Sequence, residues 1–280
     1  MITQALQHCE GIGPVRLAEL HDAGVRTWHD ALDSPKCIPS ALRSSVVVEC
    51  CRCVDALRSR DLHYFAERLL PEDKWRLLDH CFDDASYFDI ETTGLEYDAQ
   101  VTIIICWHRG QLHTFVEGDN LDDFLDLLDD MTLLVSFNGA SFDVPRILDA
   151  FHIPALPCPH LDLRWASYHQ GLTGSLKEIT QQLDFPRPAD LHDADGALAV
   201  EWWEQWMRSQ NQTARQQLIR YCAADVLMLV ALAHSVTDRD APAAEELWSA
   251  LPPAPVAEVP APRLLASRRA RGRLLQLFRE

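Results

Sequence analysis

FDIETTGL, residues 88–95, decides the reading of this 280-residue chain. Side chains two apart on a β-strand share a face. Asp89 and Glu91 therefore point one way, while Phe88 and Ile90 point to the core. Two carboxylates side by side at the end of a buried strand repel each other, and each is costly to desolvate. A hard divalent cation relieves both problems. An isolated Asp-x-Glu is also common on exposed strand edges, so the pair gains meaning only from its surroundings.

Those surroundings read as alternating strands and helices. Tyr87–Glu91 is a strand, and VTIIICWH at 101–108 is a β-branched run expected to be buried. Leu112–Val116 is its hairpin partner across Arg109-Gly110. Leu121–Asp130 is expected as helix, Leu133–Phe137 as a buried strand, Phe142–Phe151 as helix, and a short strand just before Asp162. Helices follow near Leu176–Leu183, Gly196–Arg208 and Ala214–His234. Three strands, then helix, strand, helix and strand, predict an α/β fold with a mixed sheet flanked by helices.

Two more acidic motifs fall within this frame. SFNGASFDVP, residues 136–145, ends a buried strand at Asn138-Gly139 and opens a helix near Phe142. Asp143 then lies in the first helical turn, beside a strand end where sites of open sheets gather. The macrodipole alone would also favour an acid there. YCAADVLML, residues 221–229, sets Tyr221 and Asp225 four apart on one helix face. Read singly, these are a core-edge aromatic and a solvated charge; read together, the three motifs aim four acids at one point.

The order Asp-x-Glu, Asn-Gly-x-x-Phe-Asp, Tyr-x-x-x-Asp resembles the DEDD exonuclease superfamily, in its subgroup with tyrosine in the third motif. Proofreading domains of B-family polymerases have a similar FDIET start and YCxxD third motif. DLHYFAERLLPEDKWRLL (61–78), HLDLRW (160–165), GLTGSLKEI (171–179) and DGALAVEWW (195–203) look like the prokaryotic RNase H-like group named after YprB. The resemblance covers about residues 55–235. It implies an RNase H-like fold and a two-metal 3′–5′ exonuclease. Asp89, Glu91 and Asp225 would hold one Mg²⁺ or Mn²⁺, with Asp89 bridging to a second and Asp143 helping directly or through water. Carboxylate and water sites suit these two cations. Tyrosine has a reference pKa of about 10 and is a poor base at neutral pH, so Tyr221 would orient the attacking water.

Supporting residues read less sharply. The backbone of Thr92, Thr93 and Gly94 would contact the terminal nucleotide. Asn138 either hydrogen-bonds the substrate strand or holds its turn. His160 and Asp162 precede a helix near the sheet end, and Asp162 reads as its cap, with the substrate channel as the alternative; Lys177 either touches a phosphate or, as favoured, is solvated surface.

Residues 1–80 read as helical, with no clear strand. Within them ALQHCEGIGPVRLAELHDAG, residues 5–24, resembles a helix-hairpin-helix. Gly11 and Gly13 would make the hairpin, Pro14 suits the next first turn, and the free N–H groups there with Arg16 would grip a phosphate. Such contacts grip backbone without reading sequence. A plain helical hairpin is the competing reading. The module makes single-stranded DNA the expected substrate over RNA.

Composition is that of a globular chain, 48% apolar and 24% charged. No membrane span and no secretory leader are expected, which points to the cytoplasm. The net charge of −17 argues against nucleic-acid binding by charge alone, although cations in a carboxylate pocket restore positive charge locally. Nine scattered cysteines argue against a disulfide framework. Cys50, Cys51 and Cys53, with Cys37, could form a metal or Fe–S site, but their spacing matches no common zinc pattern and helix packing is favoured. Four segments result: helical module 1–80, nuclease 83–236, Pro/Ala-rich linker 237–262 and a basic tail 263–280. The tail would bind nucleic acid or a protein partner. Competing functions are RNA exonuclease, structure-selective endonuclease and an inert DNA-binding adaptor; the complete acid set speaks against the last.

Overall fold

A computed structural model describes residues 1–255; the basic tail and the end of the linker lie outside them. Five helices come first: α1 (Pro14–Asp22), α2 (Trp28–Asp33), α3 (Arg43–Ser59), α4 (Leu62–Arg68) and α5 (Trp75–His80). A five-stranded mixed sheet follows, built from β1 (Ala85–Thr92), β2 (Val101–His108), β3 (Gln111–Val116), β4 (Leu133–Ser136) and β5 (His160–Asp162) in the order β3-β2-β1-β4-β5. The first three strands are antiparallel, and β4 and β5 add in parallel on the far side of β1. This is the mixed α/β sheet flanked by helices that the sequence predicts.

β2 spans the residues expected of it. Its turn to β3 puts Arg109 and Gly110 at φ of 48° and 78°, the left-handed pair that suits a two-residue hairpin. α6 (Phe124–Leu128) and α7 (Asp143–Ala150) lie between the later strands. α8 (Leu163–His169), α9 (Leu176–Gln182), α10 (Gly196–Ser209) and α11 (Gln212–Val236) follow β5. Two apolar layers sandwich the sheet. Phe88, Ile90, Ile104 and Cys106 pack with Phe124 and Ile147 on one face. Tyr87, Ile103 and Ile105 pack with α11 on the other.

α11 is long and apolar enough to cross a membrane, contrary to the sequence expectation; its window has mean hydropathy 1.5. Yet 72% of that window is buried inside the fold. It is apolar all round because it is the central helix, touching β1 and β2 on one side and α8, α9 and α10 on others.

Two further expectations need correction. The arm before Gly11 is a short 3-10 turn, Ile2–Gln4, and irregular chain rather than an α-helix. The indole Nε1 of buried Trp28 donates to the Ala5 carbonyl, and Cys9 N donates to Leu6 O, so the bonds of a continuing helix are diverted. Only the second arm, α1, matches a helix-hairpin-helix. The 237–262 stretch is not wholly extended either: α12 (Ala244–Trp248) interrupts it. Leu247 and Leu251 are buried, and Trp248 stacks on Phe185 with ring centres 4.4 Å apart. Apolar anchors override the proline-rich composition there.

Residues 1–80 share one continuous apolar cluster with the α11 face of the sheet. Trp28 is fully buried and stacks on Phe65 at 5.6 Å, with ring planes 3° apart. Trp28→Ala is expected to cost about 3–5 kcal/mol. Denaturant unfolding followed by far-UV circular dichroism should keep one transition, shifted to lower concentration. Separate transitions would show that the N-terminal helices fold on their own.

Candidate active site

The expected acids reach one place from three elements. Asp89 and Glu91 stand on the α11 face of β1, opposite Ile105 and Ile103 of β2. Asp143 opens α7. It is held there because Gly139 lets the chain turn tightly: a Cβ on Gly139 would lie 2.1 Å from the Ser136 hydroxyl. Asn138 takes the left-handed conformation at φ 65°, bending the chain off β4 toward that helix. Tyr221 and Asp225 sit one turn apart on α11, which crosses β1. All five line a single cavity of about 620 Å³, together with Thr92, Gly94, Phe137, Asn138 and Asp195.

A family model of the RNase H superfamily matches residues 86–237, more than half of the chain. The chain belongs to the RNase H superfamily. Among solved structures, the family B DNA polymerase from the hyperthermophilic archaeon Pyrobaculum calidifontis is similar at 17% identity and a TM-score of 0.45. That match covers 54% of this chain and 24% of the polymerase, so this chain spans about a quarter of its length. No curated protein matches.

The match begins within β1 and ends just past α11, so it contains the whole acidic cavity of this RNase H-superfamily chain. Burial raises the Asp89 carboxyl well above its usual range, and the charges of Asp143, Asp225 and Glu91 raise it further. Glu91 rises for the same two reasons, with Asp225 its main charged neighbour. Burial lifts Asp143 to about 7, although backbone N–H groups of Asp143 itself and Ile90 oppose the rise. Asp225 is raised by burial against the pull of Arg187. Four acids thus share a site with too little positive charge, a demand that divalent cations on carboxylate oxygens would meet.

Cys222 is a member of the cluster that sequence reading passed over. Its Sγ and ligand oxygens of Asp89 and Glu91 all lie within 4.8 Å of one another. Burial and the surrounding carboxylates hold the thiol protonated, and it points at Asp89 Oδ2 from 3.4 Å. It serves as a weak hydrogen-bond donor that orients Asp89.

Arg187 is the larger omission. Its side chain is only 6% exposed, and its guanidinium pairs with Asp225, bonds the Ala194 carbonyl at 3.0 Å and lies over the Tyr221 ring at 4.6 Å. Among the described residues it is the one cation in ion-pair contact with the four acids. Nothing local in DFPRPAD marks it; only the folding of this loop against α11 does. Arg146 on α7 is a second case. It gathers the carbonyls of Leu95, Glu96, Tyr97 and Ala99, fixing the loop that carries Gly94 to the cavity wall.

The remaining expectations separate. Thr92 and Gly94 line the cavity, and Thr92 Oγ1 donates to Gly94 O at 2.6 Å. Thr93 does not line it; the residue bonds Gln100 through both backbone and hydroxyl. Asn138 faces the cavity while its Oδ1 accepts from Arg164 at 2.6 Å. Asp162 caps α8, and its oxygens also accept from Asn138 N and Ala140 N, so the cap and the turn are one device. His160 Nε2 meets the Ser136 hydroxyl at 2.8 Å. Lys177 is not free surface, because its ammonium bonds the His192 carbonyl. Gly11, Gly13 and Arg16 are in the N-terminal module and not among the residues lining the cavity.

Raised carboxyl pKa values make the folded chain bind protons more tightly than the unfolded chain. Stability from this source is fully present below about pH 4 and lost as pH rises through about 7, where Asp143 ionises. In EDTA the melting temperature should fall between pH 5 and 8, and millimolar Mg²⁺ or Mn²⁺ should flatten that slope. A slope unaffected by either cation would mean that the acids do not bind one. Arg187→Gln should cost about 3–5 kcal/mol in EDTA by leaving Asp225 unpaired. Mn²⁺ should stabilise this variant more than the parent, as read by melting temperature.

Proposed function

We propose that this chain is a metal-dependent 3′–5′ exonuclease of the tyrosine-containing DEDD kind, in the YprB-like group, acting on single-stranded DNA. One observation carries the reading: Asp89, Glu91, Asp143, Tyr221 and Asp225, scattered over 137 residues of sequence (225 minus 89, counted inclusively), line one cavity. Asp89, Glu91 and Asp225 would hold one divalent cation, and Asp89 with Asp143 a second. When bound, such a pair supplies charge stabilisation to both the attacking and the leaving oxygen of an in-line phosphoryl displacement.

The chain's own residues account for the remaining tasks. Burial pushes the Tyr221 phenol up, so it keeps its proton at neutral pH. It therefore positions the attacking water by hydrogen bonding and is not the base. Arg187 braces the ring of Tyr221 from above and limits its movement. Thr92 and Gly94 offer backbone groups to the terminal nucleotide.

A single strand is favoured by what adjoins the acids. A second cavity of about 620 Å³ shares Phe137 and Asn138 with the first and is lined by Arg164, Trp165 and Tyr168. Trp165 and Tyr168 are 55% and 57% exposed, and their rings meet edge to face at 6.3 Å. Large exposed aromatics beside a guanidinium suit stacking of unpaired bases, worth about 1–3 kcal/mol each. The preference for DNA rests on the N-terminal turn. Gly13 begins α1 without a side-chain cap, leaving its first N–H groups free for a phosphate. Arg16 is exposed beside them and bonds the Gly11 carbonyl at 2.6 Å.

Matched DNA and RNA strands, labelled at either end, test this reading with Mg²⁺ and with Mn²⁺. Expected products are nucleoside monophosphates released from the 3′ end, faster from DNA. Asp89→Ala should lower kcat by about a thousandfold or more. Full activity in that variant would move the chemistry elsewhere, and cutting of a circular single strand would make the enzyme an endonuclease. Combined Trp165→Ala and Tyr168→Ala should raise KM by about tenfold to a hundredfold with little change in kcat. A kcat loss without a KM change would contradict the stacking role.

A further inference from the structure

The N-terminal module holds a second cluster of donor atoms, chemically unlike the first. His8 Nε2, Cys53 Sγ and a Glu49 carboxylate oxygen all lie within 4.8 Å of one another. Glu49 and Cys53 are four apart on α3, so they share one helix face. His8 reaches them from the irregular arm before Gly11, and its Nε2 is 3.1 Å from Cys53 Sγ. Cys51 and Cys37, by contrast, are exposed, so the cysteine set suggested by sequence spacing does not assemble.

The electrostatics of Glu49 single it out. Among the described residues three acids are less than a tenth exposed as whole residues: Glu49, Asp73 and Asp143. Asp73 has a close cation, Arg76 Nε at 2.7 Å. Glu49 accepts from Tyr64 OH at 2.7 Å, but Arg52 and Arg68 stop 3.5 and 3.9 Å away. Both arginines are more than half exposed, so solvent weakens each pair. A carboxylate that is 8% exposed thus has only two long, solvent-weakened arginine pairs, and it also faces an imidazole and a thiol.

We infer that His8, Glu49 and Cys53 form a binding site for a borderline-soft divalent cation, of which Zn²⁺ is the type. Imidazole nitrogen, thiolate and carboxylate are the donors Zn²⁺ takes, at about 2.0–2.1, 2.3 and 2.0–2.2 Å. At a tetrahedral angle those lengths put nitrogen and sulfur roughly 3.6 Å apart, so the His8–Cys53 pair need open only by about half an ångström. Binding releases the Cys53 proton to water. The thiolate and Glu49 together balance the charge of the cation, and a water fills the fourth position. His8 is only partly buried, which gives that water a route in. The buried thiols of Cys9 and Cys50 are not part of this trio.

The site would act as a staple. It ties the arm that leads into the Gly11–Gly13 turn to α3, across 45 residues of chain. The turn is tightly seated already, since a Cβ on Gly11 would lie 2.7 Å from Leu42 Cδ2. A cation on Glu49 and Cys53, two to three helical turns further along α3, would hold the arm at a second point.

Co²⁺ titration of the full chain is the direct test, because thiolate-to-cobalt charge transfer absorbs in the near ultraviolet and carboxylate-bound cobalt does not. Cys222 is the competing sulfur, so Cys222→Ser serves as the background. The band is expected to persist in that background, to saturate at about one equivalent, and to vanish on adding Cys53→Ser. His8→Gln should weaken Co²⁺ binding at least tenfold. Zn²⁺ should raise the melting temperature of the Cys222→Ser chain and not that of the chain lacking Cys53 as well. Absence of the band in the Cys222→Ser background, or its survival without Cys53, overturns the site. Should Cys53→Ser fail to fold by circular dichroism, the His8→Gln affinity decides: unchanged cobalt binding refutes the assignment.

Discussion

Strand alternation in β1 is the constraint on which the rest depends. One face of β1 sends Phe88 and Ile90 into an apolar layer that leaves no freedom of register. The other face starts as core at Tyr87 and then changes character at Asp89 and Glu91. A slip of one residue would drive both acids into the Phe124 layer and expose Phe88. The apolar side thus fixes the acidic side. α11 completes the site because its own apolar surface must cover the same face of β1 and β2, which brings Tyr221 and Asp225 down onto the acids.

The cavity is held together against its own electrostatics. Asp89, Glu91, Asp143 and Asp225 are each raised by burial and most by a neighbour's charge, so the folded chain stores repulsion that packing elsewhere offsets. Arg187 pairs with Asp225 and lowers Glu91 only through space; among the described residues Asp89 and Glu91 have no ion pair. The asymmetry is physically informative. A guanidinium against every acid would neutralise the cup and remove its affinity for cations, whereas one guanidinium steadies the helix-borne acid and leaves the strand-borne pair available.

Much of this was legible in the sequence because it is local. β2 announces itself by an uninterrupted β-branched run, the hairpin by Arg109-Gly110, and the acids by their spacing within strand and helix periods. What stayed hidden is tertiary. Arg187 lies between two prolines in a loop and gains meaning only from its distance to Asp225. Cys222 reads as a packing residue on α11 until β1 is laid beside it. α12 is masked by proline-rich neighbours, and the first arm of the N-terminal hairpin is undone by a single indole hydrogen bond from Trp28, a residue over twenty positions away. Glu49 and Cys53 share a helix face by spacing, but His8 carries no spacing signal with them, since the arm and α3 meet only after collapse.

The charge of the chain then limits how it can hold a polyanion. A formal charge of −17 opposes long-range attraction of a nucleic acid. What the proposed function leaves is short-ranged: cations that the acid cup would hold, stacking that Trp165 and Tyr168 would offer, and a few oriented guanidinium and backbone N–H groups such as those of Arg164 and the start of α1. Forces of that kind act on a strand end already seated and do little for a duplex passing at a distance. They reward unstacked bases, which duplex DNA does not offer, and they vary weakly with salt because few counterions are released. On the proposed reading, an acidic surface is consistent with a nucleic-acid substrate when recognition is confined to the last few nucleotides of a single strand.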